Sequence, residues 1–194
     1  MLNIELCFFV GHFVASDGAR QINIDRAKKC YSGYIPILEA NVSRLGFIAS
    51  SSFSSPGYEP FGAFNNFNAD GVNGSWKTNT VPSWLQIQCL EPVKIWKVAL
   101  KCRAIDATEF TEGGMKVIAN VQISEWNISA SNDGTNFTTL LTSTTALFGG
   151  ATALSFFIIP SATAYQYYRL NITEANYCET VVGLQVMQLY ALTT

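Results

Sequence analysis

The stretch ISEWNISASNDGTNFTTLL, residues 123–141, holds two runs of strand-forming residues on either side of Asn132-Asp133-Gly134. Asp-Gly between two such runs is a strong hairpin signal, because glycine accepts a positive φ in the turn. A functional interpretation also exists, since Asn132 and Asp133 could ligate a cation and Trp126 could stack on a sugar. We expect the scaffold interpretation: Asp133-Gly134 makes the turn, Asn132 caps it, and Trp126 packs in the core.

Strand signals continue along the chain after about Gly46. In SWLQIQCLEP, residues 83–92, apolar Leu85, Ile87 and Cys89 alternate with glutamines, which is the period of a half-buried strand. No segment beyond residue 46 shows a sustained helical period of apolar residues. The sequence therefore predicts an all-β sandwich. Further strands are predicted in VKIWKVALKCR (93–103), ALSFFIIP (153–160), YQYYRLNIT (165–173) and VGLQVMQLYAL (182–192).

Composition excludes several classes of function. Charged residues make up only 13% of the 194 residues, 48% are hydrophobic, and the net charge is -2. This composition is unlike that of disordered chains, and the sequence lacks the clusters of basic residues that nucleic-acid-binding proteins carry. The apolar runs are too short to predict a membrane span.

The five cysteines are widely spaced and show no zinc-ligand pattern. We expect buried, reduced thiols, and a bridge between Cys89 and Cys102 remains open because they lie in consecutive predicted strands. The cysteines are Cys7, Cys30, Cys89, Cys102 and Cys178.

The first 34 residues differ in character from the rest and are too few to build a core of their own. We therefore predict an attachment or oligomerisation segment at 1–34 and a sandwich domain at 35–194.

Four blocks of sequence, in order, resemble the discoidin family, also known as coagulation-factor type C domains and, in sugar-binding members, as family 32 carbohydrate-binding modules. The resemblance implies an eight-stranded jelly-roll, galactose-binding-like sandwich without catalytic activity. The blocks are IASSSFSSPGYEPFGAFNNF (48–67), GSWKTNTVPSWLQIQCLEPVKIWKVAL (74–100), WNISASNDGTNFTTLL (126–141) and the closing pair from YQYYRLNITEAN (165–176) to VGLQVMQLYAL (182–192).

A looser resemblance is to stand-alone chains of bacteriophage tails and virions. It implies a virion or tail structural protein, made in the host cytoplasm, whose module can act as an adhesin for host-surface glycans. Its partners would be other virion or tail proteins, contacted through residues 1–34, in a homo-oligomer or larger assembly. The alternatives are a secreted or cell-surface carbohydrate-binding module, extracellular in location, and an accessory domain of a glycan-acting enzyme.

In this family, ligands bind at loops that correspond here to residues 54–64, 69–79, 103–116 and 173–181. Aromatic side chains there can stack on the apolar face of a sugar, and charged or amide groups can bind its hydroxyls. For Trp76 a place in the core is the competing interpretation. The resulting candidate ligand-binding residues are Tyr58, Phe61, Trp76, Lys77, Arg103, Phe110 and Tyr177.

Many family members hold a structural calcium with an Asp in an Ala-Phe-Asp-Gly block and a late Glu. Here the block reads Ala63-Phe64-Asn65-Asn66, and glutamine or valine stands where the late Glu would be. Because calcium prefers anionic oxygen ligands, the resemblance leaves Asn65 and Asp70 as the metal candidates. No other cofactor is expected.

An enzyme is not expected. His12 is the only histidine, and it lies in an apolar run, so a Ser/His/Asp or Cys/His system would have to be built on this one residue of the segment 1–34. A pair of carboxylates for glycoside hydrolysis, drawn from Asp106, Glu109, Glu112 and Glu174, is the one catalytic alternative.

Overall fold

The computed structural model describes residues 38–43, 46–65, 73–103, 122–148, 154–176 and 182–192. Within them, ten strands form two antiparallel sheets, so the predicted all-β sandwich is confirmed. The strands outnumber the eight expected, although β2 and β7 contain only three and two residues. The predicted segment 1–34 lies outside the described residues.

The larger sheet has the strand order β1-β3-β9-β5-β6, and β7 pairs with β5 off this path. β9 lies at its centre and pairs antiparallel with both β3 and β5. Its strands are β1 (Ile48–Ser51), β3 (Ser83–Val93), β5 (Gln122–Ser131), β6 (Thr138–Ser143), β7 (Leu147–Phe148) and β9 (Tyr165–Asn176).

The smaller sheet has the order β2-β10-β4-β8. β10 lies inside this sheet, between β2 and β4, and most of its residues are buried. Its strands are β2 (Trp76–Thr78), β4 (Ile95–Cys102), β8 (Ser155–Ile158) and β10 (Val182–Ala191), and a short 3-10 helix spans Pro60–Phe64.

The core fills the space between the two sheets and follows the alternation of the strands. Leu85, Ile87 and Cys89 of β3 are fully buried, as the period-2 pattern predicts. From β9, Tyr168 reaches into the core, donates a hydrogen bond to the Val93 carbonyl at 2.5 Å, and accepts one from the Ile95 amide at 3.3 Å. One phenol thus holds the crossing where the chain leaves the larger sheet for the smaller.

That crossing decides the state of two cysteines. Because β3 and β4 belong to different sheets, Cys89 and Cys102 are not cross-strand neighbours, and both are free thiols. The disulfide bridge between Cys89 and Cys102 that the sequence left open therefore does not form. Burial raises the pKa of each thiol to about 12.

The hairpin of residues 123–141 forms as predicted between β5 and β6, and Gly134 has φ +73°. Trp126 packs in the core, edge-on to Phe157, with a ring-centroid distance of 4.6 Å. The cap differs from expectation. Asp133 accepts hydrogen bonds from the turn amides, whereas Asn132 accepts one from the Gln166 amide at 2.9 Å and so fastens the turn to β9.

Candidate functional site

Two of the candidate residues meet through their backbones at one end of the sandwich. The loop after β1 lies along β2, because the Ser55 amide donates to the Lys77 carbonyl at 2.8 Å and the Lys77 amide donates to the Tyr58 carbonyl at 3.3 Å. Gly57, with φ +80°, makes the turn just before Tyr58. This pairing holds the Tyr58 ring beside the Lys77 side chain.

A third candidate, Arg103, reaches the same ring from the end of β4. Its amide donates to the Gly183 carbonyl at 3.1 Å, which sets its position against β10. The guanidinium carbon lies 4.7 Å from the Tyr58 ring centroid, and Nη2 is 3.5 Å from the phenol oxygen. We call Tyr58, Lys77 and Arg103 the Tyr58 cluster.

The cluster places two cations against one aromatic ring. Lys77 Nζ is 5.2 Å from the ring centroid, within the range of a cation–π interaction. Arg103 is only 6% exposed, while Tyr58 and Lys77 are half-buried. Arg103 is therefore the buried member of the cluster, and Tyr58 and Lys77 are the accessible members.

Close backbone packing makes this arrangement possible. A Cβ on Gly183 would lie 2.7 Å from the Trp76 carbonyl oxygen and 3.4 Å from Arg103 Cβ. The 2.7 Å contact is closer than real Cβ atoms show. Glycine at position 183 therefore lets β2, β10 and Arg103 approach one another.

Two other ligand candidates, Trp76 and Phe61, are not part of the Tyr58 cluster. The Trp76 side chain is fully buried, and its indole N–H donates to the Phe53 carbonyl at 3.1 Å. Trp76 is therefore a core residue, which was one of its two predicted places. Phe61 is half-buried and packs against the core. Trp76 therefore offers no face to a sugar, whereas Phe61 keeps part of its ring exposed.

Asn65, a metal candidate, is buried, and its amide donates a hydrogen bond to the Asn73 carbonyl. This bond joins the two sides of the 66–72 segment. No set of three or more His, Cys, Asp or Glu side chains that could hold a metal occurs in the described part of the chain. The other metal candidate, Asp70, lies outside the described residues, so a calcium site at Asn65 and Asp70 stays a prediction.

Two further ligand candidates, Phe110 and Tyr177, also lie outside the described residues, together with most of loops 103–116 and 173–181. Three of the seven ligand candidates are thus brought together. In the described ranges no helix is long and apolar enough to cross a membrane.

A second group of polar and aromatic side chains was not predicted as a site. Arg169 of β9 stacks between the rings of Trp84 and Phe137 on the outer face of the larger sheet. The sequence does carry a signal for it, because Trp84, Gln86 and Gln88 alternate with the buried residues of β3. By itself, that pattern predicts only the solvent side of a strand.

No family model matches the chain, and no curated protein matches it in sequence. Solved structures do match it. The family 32 module of C. perfringens NanJ, in complex with galactose, aligns with a TM-score of 0.55 and 13% identity over 74% of this chain and 92% of that chain. The chain has the discoidin-like fold of these modules.

Two other structures give the same result. A family 32 module from Clostridium perfringens, in complex with GalNAc-β-1,3-galactose, aligns with a TM-score of 0.56 and 14% identity over 75% of this chain and 95% of that chain. A mutant of chitosan-binding module 1 from a Paenibacillus sp. IK-5 chitosanase/glucanase aligns with a TM-score of 0.52 and 21% identity over 73% and 92%. At such identities the likeness establishes the fold, and ligand binding has to be argued from the residues.

Proposed function

We propose that this chain is a non-catalytic carbohydrate-binding module that holds a glycan at the Tyr58 cluster. The observation that carries the proposal is the half-buried Tyr58 ring with two cations against it, the half-buried Lys77 and the buried Arg103. The exposed part of Tyr58 offers ring C–H groups and a phenol hydroxyl, and the Lys77 ammonium group donates to sugar hydroxyls. The fold supports the same function, since matched modules were solved with galactose or a galactose-containing disaccharide.

The absence of catalysis is part of the proposal. Of the four carboxylates named as the catalytic alternative, Glu174 lies in β9, and Asp106, Glu109 and Glu112 lie outside the described residues. The two described thiols are buried with raised pKa values, so they are poor nucleophiles. The matched structures are carbohydrate-binding modules, which supports binding without catalysis.

The test is a glycan array followed by calorimetry with galactose and with the best array ligand. We expect Tyr58→Ala and Lys77→Gln to weaken binding about tenfold each, because each removes a direct contact. The control pair is Tyr190→Ala and Lys97→Gln. Lys97 Nζ lies 3.9 Å from the Tyr190 ring centroid, so this pair makes the same lysine–tyrosine contact as the cluster, but on strands β4 and β10.

Equal binding by the wild type and Tyr58→Ala would contradict the proposal, as would equal losses in the Tyr58 and Tyr190 variants. Thermal melts of all variants separate loss of binding from loss of fold.

A virion or tail role, with adhesion to host-surface glycans, is a second proposal that rests on the sequence resemblance alone. Residues 1–34 would attach the module to other particle proteins, since a segment of this length cannot build its own core. Deleting 1–34 should then abolish incorporation into the particle while the sandwich still melts cooperatively. Normal incorporation of the deleted chain would refute this role.

A further inference from the structure

The outer face of the larger sheet carries a continuous row of polar side chains. Five residues are direct cross-strand neighbours from β1 to β6, and the adjacent row adds Trp84, Asn171 and Asn127. With about 4.8 Å between strands, the row spans about 19 Å, which suits several sugar residues. We call this surface the Arg169 face. Its central row is Ser50, Gln86, Arg169, Ser129 and Thr139.

Arg169 is held rigidly at the centre of the face. Its Nε and Nη2 donate to Gln86 Oε1 at 3.0 and 2.8 Å, and Gln86 Nε2 in turn donates to Ser50 Oγ at 3.3 Å. The guanidinium carbon lies 4.3 Å from the Trp84 ring centroid and 3.8 Å from that of Phe137. The side chain is therefore fixed before any ligand arrives.

The charge on Arg169 is not neutralised by the described residues. Its hydrogen bonds and ring contacts are those with Gln86, Trp84 and Phe137, so the other guanidinium N–H groups bind nothing in these parts of the chain. Along β5 and β9 the carboxylates Glu125 and Glu174 lie four and five residues beyond the central row, about 13 to 17 Å away. A held cation with no carboxylate in its row is complementary to an anionic ligand.

Neighbouring groups on the face are already ordered. Asn171 Nδ2 donates to Asn127 Oδ1 at 2.7 Å and to Ser129 Oγ at 2.9 Å. These side chains, with the half-buried Trp84 ring, supply donors and acceptors for hydroxyls and an apolar edge for sugar C–H groups.

We propose that the Arg169 face is a second carbohydrate-binding surface that takes an acidic polysaccharide, with Arg169 binding a uronic acid carboxylate. The Nη1 group and the second N–H of Nη2 form the free end of the guanidinium and match a carboxylate, and the row of amides and hydroxyls runs on either side of it. This surface lies on β1, β3, β9, β5 and β6, whereas the Tyr58 cluster lies on the loop after β1, on β2 and at the end of β4. Neither proposal requires the other.

The test uses the full chain with polygalacturonate as the acidic probe and galactan as the neutral one, by affinity electrophoresis and calorimetry. We expect wild type to bind polygalacturonate in a salt-sensitive manner, since the key contact is ionic. Arg169→Gln should weaken this binding about tenfold or more and leave galactan binding unchanged. Lys94→Gln, which removes one positive charge elsewhere, and Tyr58→Ala should bind polygalacturonate as wild type does.

Two further measurements test the proposal even if Arg169→Gln fails to fold: binding by Arg169→Lys, and nuclear magnetic resonance of the wild type. The lysine variant keeps the charge without the fork and should bind with intermediate strength. In wild type, a galacturonate oligomer should shift the Trp84 indole N–H and the Arg169 and Ser129 amides. Absence of polygalacturonate binding, or equal binding by Arg169→Gln and Lys94→Gln, would overturn the proposal. Loss confined to Tyr58→Ala would also overturn it and would leave the Tyr58 cluster as the binding site.

Discussion

At the residue scale, Asp133 shows how one side chain fixes a turn. Its Oδ1 accepts from the Thr135 and Asn136 amides at 2.8 and 2.7 Å, and its Oδ2 accepts from Asn136 Nδ2 at 2.7 Å. These bonds, with those of Asn136 contributing most, hold the pKa of the Asp133 carboxyl well below its usual range. The residue therefore serves the hairpin, and its ionised form is the one that the turn stabilises.

Asp133→Ala should lower the melting temperature at neutral pH, because the turn amides lose their acceptor. A depressed pKa in the folded state stabilises the protein above the unfolded value, near pH 4, and this contribution is lost as pH falls. The difference in melting temperature between wild type and Asp133→Ala should therefore shrink between pH 6 and pH 2. A difference that is constant over this range would contradict the role of the charge. Thr142→Ala, on the exposed side of β6, is the control.

At the element scale, the short 3-10 helix Pro60–Phe64 sits directly against the backbone that leads into β2. The Gly62 amide donates to the Glu59 carbonyl at 2.9 Å, which closes the helical turn. A Cβ on Gly62 would lie only 2.5 Å from the Ser75 carbonyl oxygen. The contact between helix and strand is therefore a backbone contact that admits no side chain.

Gly62→Ala should destabilise the fold by about 1–3 kcal/mol, as expected when an atom is forced into a packed site. Urea unfolding followed by tryptophan fluorescence measures the change. The control, Ala162→Ser, also adds one heavy atom, but at an exposed loop position, and should have little effect. Equal stability of the two variants would show that β2 can move away from the helix at no cost.

At the scale of the whole molecule, the two sheets enclose a core in which Cys89 and Cys102 are reduced and inaccessible. Alternation in the sequence predicts that both side chains face inward. It does not predict that β3 and β4 part into different sheets, because that depends on long-range pairing of each strand with β9 or β10.

Both thiols should resist alkylation in the folded protein at pH 8. Burial raises their pKa values to about 12, so the reactive thiolate is scarce, and the core excludes the reagent. Iodoacetamide labelling followed by peptide mass spectrometry should find Cys89 and Cys102 modified only in urea. Labelling of either residue at the same rate with and without urea would contradict the closed core.

Much of the fold was predictable because its signals are local. The Asp-Gly turn, the alternation in β3 and the order of the four blocks each depend on neighbours in sequence, and together they indicate the sandwich. The Tyr58 cluster was predicted in part, since Tyr58, Lys77 and Arg103 were all candidates. The orientation of Trp76 could not be predicted, because a tryptophan beside a loop has the same sequence signal whether its ring faces the core or the solvent.

The sequence by itself determined the strand pattern, the hairpin at residues 123–141 and the sandwich class, because each follows from side-chain period and turn chemistry. Only the tertiary structure decided which side chains share a surface. Arg169 lies between Trp84 and Phe137, distant in sequence, because β3 and β6 flank β9 and β5 in the larger sheet. Pairing between strands far apart in the chain, which no local pattern specifies, creates both the Tyr58 cluster and the Arg169 face.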